Sequence, residues 1–197
     1  MKKILLIIAL AFAWHHFYYI PTDDTLKSGV LVDASPSQES TTLAAFDFEK
    51  YELIPRANFY VQAQVLSAER YYFDKESRLS PVDLALGWGP MSDKAVLDQL
   101  DIWQEGRWYK WQANNLPISR KQIEINSGNM HMIPANDEIA QTLKEIRIGS
   151  VVVIEGLLVD VSNKTGWKWK TSTSRADVGQ GACEIVYVTR IETASNY

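Results

Sequence analysis

The chain has 197 residues, 46% hydrophobic and 22% charged, with 20 basic against 24 acidic side chains and a formal net charge of −4. That supplies one core of ordinary domain size. The acidic balance argues against nucleic acid as a partner, because a phosphate-backbone binder draws its affinity from clustered Lys and Arg. The single cysteine, Cys183, excludes an intrachain disulfide framework, so the fold must stand on packing.

Residues 1–20 (MKKILLIIALAFAWHHFYYI) place two lysines before an apolar run that ends in aromatics. Two readings compete. A signal peptide would be cut at the small-x-small site Ala11-Phe12-Ala13. An uncleaved signal anchor would span Ile4 to Ile20, with Trp14, Phe17, Tyr18 and Tyr19 at the far interface. Such a span rises about 25 Å, near the lower limit for crossing a bilayer. The anchor is preferred, because the strictly apolar part is short and aromatics follow it at once. The expected location is the inner membrane, reached through residues 4–20, with the folded domain in the periplasm or outside. If the leader is cleaved, the domain is secreted. With no cysteine nearby, lipoprotein anchoring is excluded.

Residues 21–50 are rich in Ser, Thr, Asp and Ala and read as a flexible linker, with Gly29–Val32 as an edge strand at most. The folded domain is expected over residues 51–193. Phe59, Val61, Ala63 and Val65 alternate with polar residues as in a half-buried strand. Ser80-Pro81-Val82-Asp83 has the form of a helix start, with a Ser cap and Pro at the first position. Ser92 caps a second short helix carrying Val96, Leu97 and Leu100. Strands Ile102–Glu105 and Arg107–Trp111 join through Gly106, and Ile118–Asn126 reads as a further strand with Ile123 and Ile125 facing in. A short strand from Asn129 leads to a helix capped by Asn136, with Asp137 and Glu138 at its positive end and Ile139, Leu143 and Ile146 forming one stripe. Arg147 and Gly149 stop it. Val151–Val161 is dense in β-branched residues, and Gly156 marks a bulge or bend. Trp167–Thr173 and Glu184–Ile191 are two more alternating segments. Six or seven strands with one good helix among them predict an α+β, mostly β fold: a small OB-like bent barrel with one helix between strands and short extra helices.

The segments SPVDLALGWGPMSD (Ser80–Asp93), RWYKW (Arg107–Trp111), NMHMIPAN (Asn129–Asn136) and SRADVGQGACEIVYV (Ser174–Val188) together resemble a set of small bacterial exported or membrane-anchored proteins. The resemblance covers most of Tyr51–Ile191. It implies a bacterial source and an outward-facing location, and it implies no activity.

His131 is the only histidine of the folded part and Cys183 the only cysteine, with Arg175, Asp177 and Glu184 close in sequence. A Cys183–His131 nucleophile pair oriented by an acid such as Asp177 would suit a small envelope hydrolase. The competing and preferred reading makes Cys183 an inert buried thiol and His131 a satisfied hydrogen-bonder. Arg175 and Asp177 form either a small polar site or an ion pair closing their loop. Nothing has metal-ligand spacing, and no nucleotide or other cofactor motif is present. Asp83 and Asp93 are explained by helix capping. The aromatics carry more. Six tryptophans lie between Trp88 and Trp169, and Trp108 and Trp111, like Trp167 and Trp169, are interleaved with cations. On a strand, Trp167 and Trp169 share one face and Lys168 and Lys170 the other. An open ring face would stack on glycan or single-stranded oligonucleotide, whereas a closed one is simply core. Trp88, between two glycines, is expected to be the exposed ring. The leading functional expectation is a tethered, non-enzymatic module of the bacterial cell envelope that binds an envelope protein partner through its barrel surface.

Overall fold

The structure, a computed structural model, describes residues 2–23, 29–174 and 183–193. Its elements run α1 (Lys2–Tyr18), β1 (Ser37–Glu39), β2 (Phe46–Phe48), β3 (Tyr51–Arg70), β4 (Val82–Gly87), α2 (Lys94–Leu97), β5 (Asp101–Glu105), β6 (Trp108–Gln112), α3 (Arg120–Ile125), β7 (Ser127–Pro134), α4 (Asp137–Glu145), β8 (Val151–Asn163), β9 (Lys168–Trp169) and β10 (Glu184–Thr193).

The long strand β3 organises the rest. It pairs with β8 along Tyr51–Gln64 and with β4 along Gln64–Arg70. Register shifts at Pro55/Ala57 and Val65/Ser67 mark where the ladder is interrupted. The first falls at a proline, which has no N–H to give a ladder. With β7 and β10 between β4 and β8, the strands close into a ring, β3-β4-β7-β10-β8 and back to β3. The β7–β10 pair is parallel and the others antiparallel. Phe59, Val61, Leu84, Leu86, Met130, Met132, Ile154, Val186 and Val188 form the main buried cluster. At Gly156 an added Cβ would stand 2.1 Å from the Tyr187 carbonyl oxygen, so only glycine lets β8 and β10 approach this closely. The register shift on that pair lies opposite, between Val188 and Arg190 of β10.

The helix α4 follows its sequence reading. Asn136 accepts the Ile139 N–H at 2.9 Å, and Ile139, Leu143 and Ile146 are buried in the main cluster. Gly149, at φ +92°, follows the helix. The hairpin β5–β6 also forms as expected, through Gly106 and Arg107, both at positive φ.

Two elements differ in type. Ser80-Pro81 opens strand β4, not a helix, because every residue of Val82–Gly87 is buried between neighbouring strands β3 and β7. Long-range pairing on two edges outweighs a local cap signal. Ile118–Asn126 is not a strand. Ser119 and Gln122 close a capping box, each accepting the other's backbone N–H at 3.2 Å, and start α3. Ile123 is buried while Ile125 is exposed. The cap of α2 is Asp93, whose carboxylate accepts the Ala95 N–H, while Ser92 bonds Val32 instead.

The stretch read as a spacer packs on the domain at several places. Thr22 bridges Ile148, Val32 is buried to 4% exposure, and β1 and β2 both add to β3. Its Ser and Thr content hides Val32, Phe46 and Phe48, which are few but well spaced for docking. The helix over the leader ends at Tyr18, short of the expected Ile4–Ile20 span, and Ile20 packs against the core; no described helix is long and apolar enough to cross a membrane.

Candidate functional site

The outer face of β4 and β7 carries a buried polar network under the β5–β6 hairpin. Register sets Asp83 of β4 directly opposite His131 of β7. Their side chains meet with His131 Nδ1 2.8 Å from Asp83 Oδ2, at 3% and 0% residue exposure respectively. Neither atom makes a hydrogen bond of good geometry among the described residues, so the contact is a close buried ion pair. A carboxylate at this distance favours a proton on Nδ1. Burial disfavours the imidazolium, but the Asp83 carboxylate and the neighbouring Cys183 thiol outweigh it and push His131 up to about 9.

The hairpin turn delivers Arg107. A two-residue loop with both φ values positive matches strand twist, and Gly106 takes the first position at no steric cost. Arg107, at φ +66°, bears some strain. Its guanidinium offsets this with a two-pronged pair to Asp74 at 2.7 and 2.9 Å, a 3.0 Å bond to Asp83 Oδ1 and another to the Ser80 carbonyl. It also stacks over Tyr71 at 4.0 Å. Asp83 thus holds a cation on each oxygen, Arg107 on one and His131 on the other. Nearby, Glu69 is raised, first by burial and then by the Asp83 charge. Asn129 completes the attachment, donating to the Arg107 carbonyl at 3.1 Å while accepting from Gln104 at 2.6 Å.

Beside this network opens a cleft of about 440 Å³, lined by Glu76, Arg107, Trp108, His131, Trp167–Lys170 and Cys183. Trp169 lies 4.6 Å from the His131 ring and 6.0 Å from Trp167, which in turn contacts Tyr51. Lys168 and Lys170 are exposed, and Trp108 is 40% exposed. Cys183 is half-buried, lines the cleft together with His131 and lies 3.9 Å from Asn129 Nδ2. Two other depressions are as large, one beside Arg70 and Arg78 and one beside Thr22 and Lys94. The cleft at His131 is distinguished by its chemistry, since it alone of the three joins a thiol, an imidazole and stacked rings.

Five residues singled out in the sequence therefore converge: His131, Cys183, Trp108, Trp167 and Trp169. Others do not. Trp88, expected to be exposed, is 0% exposed in the main core. An added Cβ on Gly87 would meet the Met91 carbonyl oxygen at 2.2 Å, and Gly89 sits at φ +51°. Both glycines serve the tight backbone that tucks the indole inward. Trp111 packs with the third cluster under Arg120, away from the cleft. Arg175 and Asp177 lie outside the described residues. Asp83 and Asp74 escaped the sequence reading. The available signal was one acid inside the apolar run Val82–Leu86, which a cap explanation absorbed.

The chain matches no protein-family model, no curated protein and no solved structure. Among the described residues no group of three or more His, Cys, Asp or Glu is arranged to hold a metal ion.

Proposed function

We propose that the chain is a tethered module of the bacterial cell envelope, built on an OB-like barrel, that binds an anionic glycan in the cleft between Trp108 and Trp169. The observation that carries this reading is the cleft itself. Three partly exposed indoles offer flat apolar faces for sugar rings, and the exposed Lys168 and Lys170 attract negative charge beside them. The strand order supports the OB-like reading. The ring runs first-second-third-fifth-fourth, its third and fifth strands are parallel, and a helix separates the third from the fourth. In that fold the ligand face is formed by the second and third strands and by the loops after the first and fourth. Here those are β4 with Asp83, β7 with His131, the loop with Glu76 and the segment Trp167–Lys170. Export follows from the leader. Lys3 lies in the first turn of α1, which exposes Ile4, Leu5, Leu6, Ile7, Ile8, Leu10 and Phe12, apolar on every side, a surface that lipid satisfies and water does not. Pro21 and Asp23 bond to Ile148, which holds the domain close to the end of that helix.

Two measurements test the reading together. Protease added to spheroplasts is expected to digest the domain, and titration of the full chain in detergent with acidic peptidoglycan fragments is expected to quench its tryptophan fluorescence saturably. Trp108→Ala should weaken that binding about tenfold, the scale of one lost stacking contact. A domain protected in spheroplasts, or fluorescence indifferent to every fragment, would overturn it.

A further inference from the structure

We infer that Cys183 is a nucleophile, activated by His131 and held in register by Asp83, that accepts an acyl group from an ester presented in the cleft. This goes beyond glycan binding and needs only the same cleft. The carboxylate named in the sequence reading, Asp177, is not required, because Asp83 occupies the orienting position at 2.8 Å from Nδ1. With Nδ1 committed to Asp83, Nε2 is the ring nitrogen left for the thiol. Trp169 packs at 4.6 Å from the imidazole, which limits its tilt, and Arg107 fixes the other oxygen of Asp83 at 3.0 Å. The arrangement is therefore a thiol, a base and an orienter in series, with each member placed by a different strand of the ring or its edge.

An inert structural cysteine is buried among apolar neighbours. Cys183 is half-buried in a polar setting instead. Around it in the cleft are His131 from β7, Arg107 and Trp108 from the hairpin, Glu76 from the loop after β3, and Lys168 and Lys170 from the segment after β8, with Asn129 3.9 Å away and Asp83 of β4 behind His131. The adjacent Glu184 is buried on β10. Arg107 spends its charge on Asp74 and Asp83, leaving the two lysines as the cations open to a substrate. An ester bearing a carboxylate or phosphate fits that field.

The step balances without a redox partner. His131 takes the proton from Cys183 as the sulfur becomes the nucleophile. The sulfur attacks the carbonyl carbon, forming the C–S bond. When the tetrahedral adduct collapses, the C–O bond breaks and the leaving alcohol takes the His131 proton. Water then attacks the thioester, gives a proton to His131 and releases the acid. That proton returns to the departing sulfur.

Alkylation of the full chain in detergent by iodoacetamide, followed from pH 5 to 10, decides whether the thiol is activated. At pH 6 the native protein is expected to react at least tenfold faster than the same protein unfolded in urea, whose thiol follows the ordinary pKa of about 8.5. His131→Gln should return the profile to that of an ordinary thiol. Asp83→Asn should displace it, and Cys183→Ser should abolish labelling. The wild-type profile needs no variant to fold. A native profile matching the unfolded one overturns the proposal. For the acyl step, p-nitrophenyl acetate should release one equivalent of nitrophenolate in a burst and leave an acetyl group on Cys183 by mass spectrometry. Fast alkylation without that burst or adduct would overturn acyl transfer.

Discussion

Arg107 shows how one side chain holds the site together. It lies in a strained turn position, yet it binds Asp74, Asp83 and the Ser80 carbonyl at once. Removing one partner of a buried pair leaves the other uncompensated, which costs more than the pair contributes. Arg107→Ala is therefore expected to lower unfolding free energy by about 3 kcal/mol, read by urea denaturation, whereas Lys at this position should recover only part because it lacks the planar fork. His131 makes the pH dependence directional. Its folded value, about 9, lies above its ordinary 6.5. The stability it contributes is complete below about pH 6.5 and is lost as pH rises through about 9, on the order of 2–3 kcal/mol. Urea midpoints between pH 6 and pH 9.5 should fall in the wild type and stay flatter in His131→Gln. At this scale rarity singled out His131 and Cys183, which the fold brings to one cleft. It misled where a local motif had a ready explanation, as with Asp83 beside Ser80-Pro81 and Trp88 between glycines.

Among the elements, α4 and the β5–β6 hairpin were legible because their caps, stripe and turn glycine act within a few residues. The strand β4 was not, since its conformation is fixed by β3 and β7, partners distant in sequence. The helix α3 fell to the opposite error. A short alternating run suggested a strand, while the Ser119–Gln122 capping box that decides the matter is local and was present to be read. Gly156 was recognised as special, and the structure supplies the reason in the Tyr187 carbonyl at 2.1 Å from an added Cβ. Gly156→Ala must push β8 from β10 and should cost about 2–3 kcal/mol, the range of overpacking. Gly106→Ala meets nothing within 4 Å and bears only its positive φ of +57°, so about 1 kcal/mol is expected there. Paired thermal melts of the two variants check the contrast.

For the whole molecule, the mostly β character was visible in the alternation of several segments. The closure of the ring was not, because it depends on β3 serving two neighbours and on β10 lying parallel to β7. Nor was the docking of residues 29–48, whose polar composition outweighs the few apolar contacts that bind them to β3. The site inherits both features. Closure brings Asp83, His131 and Cys183 to one outer face, and the hairpin roofs it. The indole N–H resonances of the full chain, followed by NMR during titration with acidic peptidoglycan fragments, test the cleft most directly. The signals of Trp108, Trp167 and Trp169 should move together while those of Trp88 and Trp111 stay fixed. Silence from those three, or movement confined to tryptophans outside the cleft, would contradict it.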